Sequence, residues 1–433
     1  MKPDVQVYTS KRSSRLEYAV DLVLGNILGL EYIVTTSPLD GVPLINYSHD
    51  RSVGGIFIQP EGLLFEEGIR TQEIWVAHLN GIPLFFQQPP EAGFHLDIFS
   101  FAFYLVSRYE EYLPQAHDKY GRFAVESSLA YKNDFLDMPV VDIWARRLGT
   151  TLTLLYPGIN LGEKKYSCLL TMDIEEAFAF RGKGLVHNLA GLTGDMMRGI
   201  NPGRRIACMT GRIRDEYDTF SYINESAERY KCPVKYFFAA DSRSGLSKKT
   251  VSGRRCYRKL VRRLGEKYDI GLRSSYDYDN GARIIEKEKA RLEIITGKKI
   301  SFIRKHHLFM ALPESYHIIQ NLGIERDYSM GNIREAGFRA GIARPFNFYD
   351  LALEKVSSLL IIPYQFMDIT FQKYKRYEPG EALESIKKLI QGTKEVGGLF
   401  VSIWHNTSLT NMGEWEGWKE IFEYTLDEQR SIK

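Results

Sequence analysis

From Tyr166 to the C-terminus the chain alternates short apolar runs with amphipathic stretches of helical length, and this alternation limits the possible folds to a few. The strand-like runs are Ser167–Met172, Val234–Ala239, Ile270–Leu272, Ile300–Ile303, Ile324–Tyr328, Ser358–Ile362 and Leu399–Trp404. Between most of them lie helical stretches at Thr219–Tyr230, Thr250–Lys267, Ala282–Thr296, Glu314–Leu322 and Ala382–Glu395. Strands that alternate with helices of this length pair in parallel, and seven or eight such units close into a barrel. The pattern therefore predicts an α/β protein with a distorted C-terminal (β/α) barrel over residues 161–433 and a smaller N-terminal α/β domain, of unknown role, over residues 1–160. The boundary falls in YPGINLGEKK, where Pro, two Gly, Asn and charges separate apolar runs. In the N-terminal part, Arg15–Leu30 has helical spacing, and β-like runs follow at Leu44–Tyr47, Gly55–Ile58 and Ile74–Ala77. The aromatic stretch Phe94–Leu113 has the spacing of a buried helix.

Composition excludes some classes of function. A net charge of +3 over 433 residues gives no global reason to expect nucleic-acid binding. The 26 Tyr, 24 Phe and 5 Trp suit a sugar-binding surface and suit a Tyr-rich core equally well. Cys168, Cys208, Cys232 and Cys256 form no CxxC pair, and free thiols in a reducing compartment are expected. The polar N-terminus lacks the apolar core of a signal peptide, and Glu17, Asp21 and Glu31 interrupt the most apolar early segment. A cytoplasmic protein without a transmembrane segment is the expectation. The run Lys248–Arg263 holds eight Lys or Arg and no acid. It reads either as a solvated helix face or as a docking surface for an anionic partner.

In a β/α barrel the chemistry sits at the C-terminal ends of the strands. Those ends carry Asp173 and Glu175, then Arg273 and Asp277, then Arg304, Lys305, His306 and His307. Asp327, Arg339, Asp368, Trp404, His405 and Asn406 follow. A ring of ionisable groups converging on one mouth points to an active site. Asp173 and Glu175, two apart on a strand, face the same side and crowd each other unless a cation or a proton lies between them. They read as a general base beside a metal ligand, or as a capping pair for the next segment. His306 and His307 are adjacent, so at most one faces the pocket, as a ligand or as a structural hydrogen-bonding residue. Trp404-His405-Asn406 reads as a sugar platform beside an acid, or as a buried His in a Trp-lined core.

These residues resemble the polysaccharide deacetylase (NodB-homology, carbohydrate esterase) family. Thr171-Met172-Asp173-Ile174-Glu175 is similar to that family's Thr-x-Asp-x-Asp, in which the first carboxylate is the general base and the second binds the metal. By the resemblance, Arg304 orients the base and His405 is the general acid. The runs SRYEEYLPQAHDKYGRF, DYSMG, GFRAG, FYDL and WHN resemble a bacterial branch with an uncharacterised N-terminal domain. The departure lies at the metal. The family's His-x-x-x-His is replaced by Arg273 and Asp277, and Arg does not ligate metals.

Two functions follow. One is a hydrolase that removes acetyl groups from an amino-sugar glycan. Asp173, His405 and Arg304 would be its catalytic residues, with a divalent metal held by Glu175, Asp277 and His306. Arg273, Asp327, Arg339, Trp404 and Asn406 would line its pocket. The other is a degraded relative that binds a glycan or a protein partner, with no metal, Arg273 occupying the cation's place between the carboxylates.

Overall fold

The structure is a computed structural model and describes residues 3–89, 91–118, 121–162, 165–182, 202–240, 255–275 and 281–430. The N-terminal part is built on four parallel strands, β1 (Val5–Tyr8), β2 (Tyr32–Thr35), β3 (Leu44–Asn46) and β4 (Ile56–Phe57), in the order β2-β1-β3-β4. A two-stranded hairpin follows, β5 (Ala77–Leu79) with β6 (Ile82–Leu84), so the run expected at Ile74–Ala77 begins later than its apolar residues indicate. The aromatic stretch becomes the helix Ile98–Val106, all nine residues of which are buried. Asp97 starts it by accepting a hydrogen bond from Ser100 N at 3.0 Å, which satisfies one of the free amides of the first turn.

The C-terminal part holds one sheet of nine strands: β7 (Ser167–Ile174), β8 (Val234–Ala239), β9 (Asp269–Ser274), β10 (Phe302–Lys305), β11 (Arg326–Asp327), β12 (Phe346–Asp350), β13 (Lys355–Ile361), β14 (Phe366–Met367) and β15 (Leu399–His405). Their order is β12-β13-β11-β10-β9-β8-β7-β15-β14. Every pairing is parallel except that of β12 with β13. The expected closed barrel is therefore corrected to an open mixed sheet, since no ladder joins its two ends among the described residues. The sheet is nevertheless strongly curved. β13 and β14 lie toward opposite ends of the order, yet only residues 362–365 separate them in sequence, a span of less than about 20 Å. Ile362 N donates to Asp327 O of β11 at 2.8 Å, and Gln365 N donates to Val401 O of β15 at 3.0 Å. This one segment stitches the two sides of the curl and turns the strand ends toward a common mouth.

The curl creates two apolar faces. Leu169, Phe237, Phe302, Val401 and Ile403 point into the concave side. Leu170, Met172, Ile303 and Trp404 point outward, into a core shared with the helices and with the N-terminal part. The alternation along each strand makes this division and fixes which functional side chains reach the mouth.

The two parts are tied by buried polar contacts. Asp142, on the helix Val140–Leu155, accepts from Ala343 N at 2.7 Å and pairs with Arg344. Gly337, with φ +144, lies where a Cβ would meet Leu136 O at 2.3 Å, so only glycine lets this backbone approach. Of the basic run, residues 248–254 lie outside the described residues. Arg255, Lys259, Arg262 and Arg263 are exposed along the helix Arg255–Lys267. Among the described residues no helix is long and apolar enough to cross a membrane.

Candidate active site

Thr171 and Asp173 share the concave face of β7, and Arg304 on β10 reaches both. Its Nη1 donates to Asp173 Oδ1 at 2.6 Å and its Nη2 to Thr171 Oγ1 at 2.9 Å. Its Nε donates to Tyr328 O at 3.0 Å, and its guanidinium lies 4.2 Å from the Phe237 ring centroid. Each nitrogen of this buried cation thus has an acceptor, and its plane lies against an aromatic ring. Arg273, at the end of β9, donates from Nε to Asp173 Oδ2 at 3.1 Å and from Nη2 to Glu175 Oε1. Glu175 also lies 3.5 Å from His306 Nε2. Burial alone would raise the Asp173 carboxyl pKa, but Arg304 and Arg273 outweigh it and hold the pKa below the usual carboxylate value. Arg273 holds Glu175 well below its ordinary value. Burial and the neighbouring Arg273 push His306 down, and burial and His306 push His307 down to about 4.

His405 ends β15 directly beside Asp173 in register. Its Nδ1 is 2.8 Å from Asp368 Oδ1, and its backbone N donates to Asp368 Oδ2 at 2.7 Å. Ser408 Oγ also donates to Asp368. Burial acts against the imidazolium, but the fully buried Asp368 carboxylate more than compensates, and the His405 pKa is raised. With Nδ1 taken by Asp368, Nε2 is the nitrogen left for the cleft. A raised His pKa means that its stabilising charge is complete below about pH 6.5 and is lost as pH rises through the higher folded value. We expect Asp368→Asn to lower the His405 titration midpoint, read by NMR of the labelled imidazole. An unchanged midpoint would remove Asp368 as the cause.

Of these groups Asp173, Glu175, Arg273, His307 and His405 line a cleft of about 390 Å³, together with Tyr217, Tyr374 and Trp415, while Arg304, His306 and Asp368 stand behind its wall. The sequence reading missed the three aromatics. Tyr374 follows Asp368 on the short π-helix Thr370–Lys375, and Trp415 lies on the 3-10 helix Gly413–Trp415, so each comes from a connection beyond a strand end. Their only sequence signal was aromatic residues in the segments after the strand-end acids.

Four residues assigned to the pocket lie elsewhere. Trp404 points outward, since its neighbour His405 points inward, and packs at 5.1 Å on Phe422 and 5.8 Å on Phe366. Asp327 is buried and accepts from Ser329 N at 2.9 Å and Ser329 Oγ at 2.7 Å. Arg339 pairs with Glu111 of the N-terminal part, at 2.9 and 2.7 Å. Asn406 stands behind the cleft, where its Nδ2 donates to Glu176 O and Tyr217 O, both at 2.9 Å. Asp277 lies outside the described residues.

Among the described residues, the carboxylates at the mouth are not arranged as a metal site. The oxygens of Asp173 are engaged by two guanidiniums, and Glu175 is taken by Arg273. Among the described residues no three His, Cys, Asp or Glu side chains group as a cation would require.

A family model described as a family of unknown function (DUF7033) matches residues 5–157. No curated protein matches the chain. Solved structures with similarity to it include an allantoinase, at 13% identity and a TM-score of 0.39 over 62% of this chain and 85% of that one. A wild-type CE4-family pseudoenzyme from Bacillus anthracis is similar at 12% identity and TM-score 0.31, covering 62% of this chain and 63% of that one. The polysaccharide deacetylase Bc1974 from Bacillus cereus is similar at 9% identity and TM-score 0.30, covering 61% and 87%.

Proposed function

We propose that this chain is a deacetylase-like protein that binds an acetylated amino-sugar glycan in the cleft without metal-dependent hydrolysis. The observation that carries this reading is the Arg273 guanidinium bridging Asp173 and Glu175. The two carboxylates are kept ionised by an organic cation, and neither is left to hold a metal or to take a proton from water. Tyr217, Tyr374 and Trp415 would give the sugar rings apolar faces with polar edges.

A second reading, a hydrolase, is favoured by the His405–Asp368 pair, which would protonate a departing amine. Calorimetry with chitotriose and an acetate-release assay, each with and without added zinc, separate the two. We expect the wild type to bind chitotriose equally well in both conditions and to release no acetate. Zinc-dependent acetate release by the wild type would overturn the binding reading. Arg273→His, which replaces the guanidinium by an imidazole beside Glu175 and His306, is expected to bind zinc more tightly than the wild type.

A further inference from the structure

The run SRYEEYLPQAHDKYGRF belongs to the N-terminal part, yet its charged residues reach the walls of the C-terminal cleft. Arg122 Nη1 donates to His307 O at 2.7 Å. The same guanidinium grips Asp118 through Nε at 2.7 Å, and Asp118 Oδ1 accepts from Arg122 N at 3.1 Å, so the turn that carries Arg122 is closed on itself. Gly121 of this turn sits where a Cβ would lie 3.4 Å from the Phe309 ring. Earlier in the same run, Glu111 grips Arg339, whose Nη1 donates to Gly331 O at 2.9 Å, and Arg108 donates to Arg339 O. The N-terminal strap thereby holds two loops, 306–309 and 331–339. Leu308 from the first loop and Ile333 from the second line the cleft on one side and the interface with the strap on the other.

The first loop is strained. His307 and Leu308 are consecutive non-glycine residues with φ of +52 and +53. Such residues persist only where their surroundings force them, and they concentrate at functional sites. The acceptor of the Arg122 bond is the carbonyl of the peptide that joins these two residues. The turn lays the His307 ring on His306, 3.9 Å between centroids, and His306 in turn faces Glu175 at 3.5 Å.

We propose that Arg122 is a positioning residue of the cleft: the N-terminal strap clamps the left-handed His307–Leu308 turn and so sets the wall that the ligand meets. The N-terminal part is then a working component of the site and not an independent module. This inference deepens the glycan-binding reading, but its main test is independent of any ligand. Hydrogen–deuterium exchange should show the amides of 306–309 exchanging about tenfold faster in Arg122→Met, the scale of one charge-assisted hydrogen bond, while β7 and β15 keep wild-type protection. Arg122→Lys retains a single charged donor and should fall between the two. His307→Gly removes the left-handed penalty at that residue, so in its background Arg122→Met should change exchange less than it does in the wild type. Unchanged exchange at 306–309, or effects of the two substitutions that simply add, would overturn the proposal. Chitotriose affinity, measured in parallel, should fall in Arg122→Met. If even the wild type does not bind chitotriose, the glycan reading fails while the exchange result still decides the clamp.

Discussion

Arg304→Met is expected to destabilise the protein by about 3–5 kcal/mol, the usual effect of removing one partner from a buried, hydrogen-bonded ion pair. The substitution keeps an apolar stem over Phe237 and removes only the charge and its donors. Asp173, 2% exposed, would retain Arg273 but lose its 2.6 Å bond to Arg304, and Tyr328 O and Thr171 Oγ1 would lose theirs. Urea unfolding reads the loss. The double variant Asp173→Asn/Arg304→Met should lie closer to the wild type than Arg304→Met alone, because it removes the buried charge that the single variant leaves under-neutralised. If the double variant is the less stable by the sum of both changes, the uncompensated-charge account is wrong and the effect is one of packing.

Glu111→Ala should be comparably severe. Glu111 accepts from Arg339 Nε and Nη2 and from Arg108 Nε, and its side chain is 4% exposed. Removing it takes the carboxylate from the buried Arg339 and leaves Arg108 with Glu110 alone, a loss of about 3–5 kcal/mol. Glu111→Gln isolates the charge and its pH dependence. Burial alone would raise the Glu111 pKa, but Arg339 and Arg108 hold it down at about 2, against an ordinary value of 4.5. A depressed carboxyl pKa stabilises the folded state above the ordinary value, and that contribution disappears as pH falls from there through the folded value. The wild type should therefore exceed Glu111→Gln in stability at neutral pH, and the difference should shrink between about pH 4.5 and pH 2. Asp142 and Asp327, whose pKa values burial raises, titrate in the opposite sense in both proteins and cancel in the comparison. A difference that stays constant with pH would mean that the Glu111 carboxylate is not what ties Arg339 to the strap.

These two residues also show where reading by local pattern stops. Arg304 sits at a strand end in a run whose spacing already implied a β/α unit, and its link to Asp173 follows from two strands that end at the same mouth. Glu111 and Arg339 are 228 positions apart. Neither lies in a periodic pattern that anticipates the other, and only the docking of the strap against the 331–339 loop brings them together. The same holds for Asp142 with Ala343 and Arg344.

Trp404 is a different case, because the sequence held the signal. In LFVSIWH the residues Val401, Ile403 and His405 share one face, and Trp404 falls on the other. Strand period alone sends Trp404 to the helix layer once His405 is placed in the cleft. Asp327 has no such signal, since β11 spans only two residues, too few for alternation to be read. The antiparallel strand β12 and the short β14 also escaped, one because hairpin partners carry no helix between them, the other because two residues make no pattern.

The sequence by itself determined the parallel α/β layout of the C-terminal part, the placing of Asp173, Glu175, Arg273, Arg304 and His405 at strand ends, and the presence of an arginine at position 273 in place of an imidazole. All of these follow from local periodicity and from the chemistry of single side chains. Tertiary structure alone decided that the sheet stays open while curling on residues 362–365, that Tyr217, Tyr374 and Trp415 line the cleft, and that the N-terminal strap holds its wall. Those outcomes depend on contacts between residues from different elements, from Ile362 with Asp327 to Glu111 with Arg339, 228 positions apart. Their energies arise only once the chain is packed, so no stretch of sequence read alone records them.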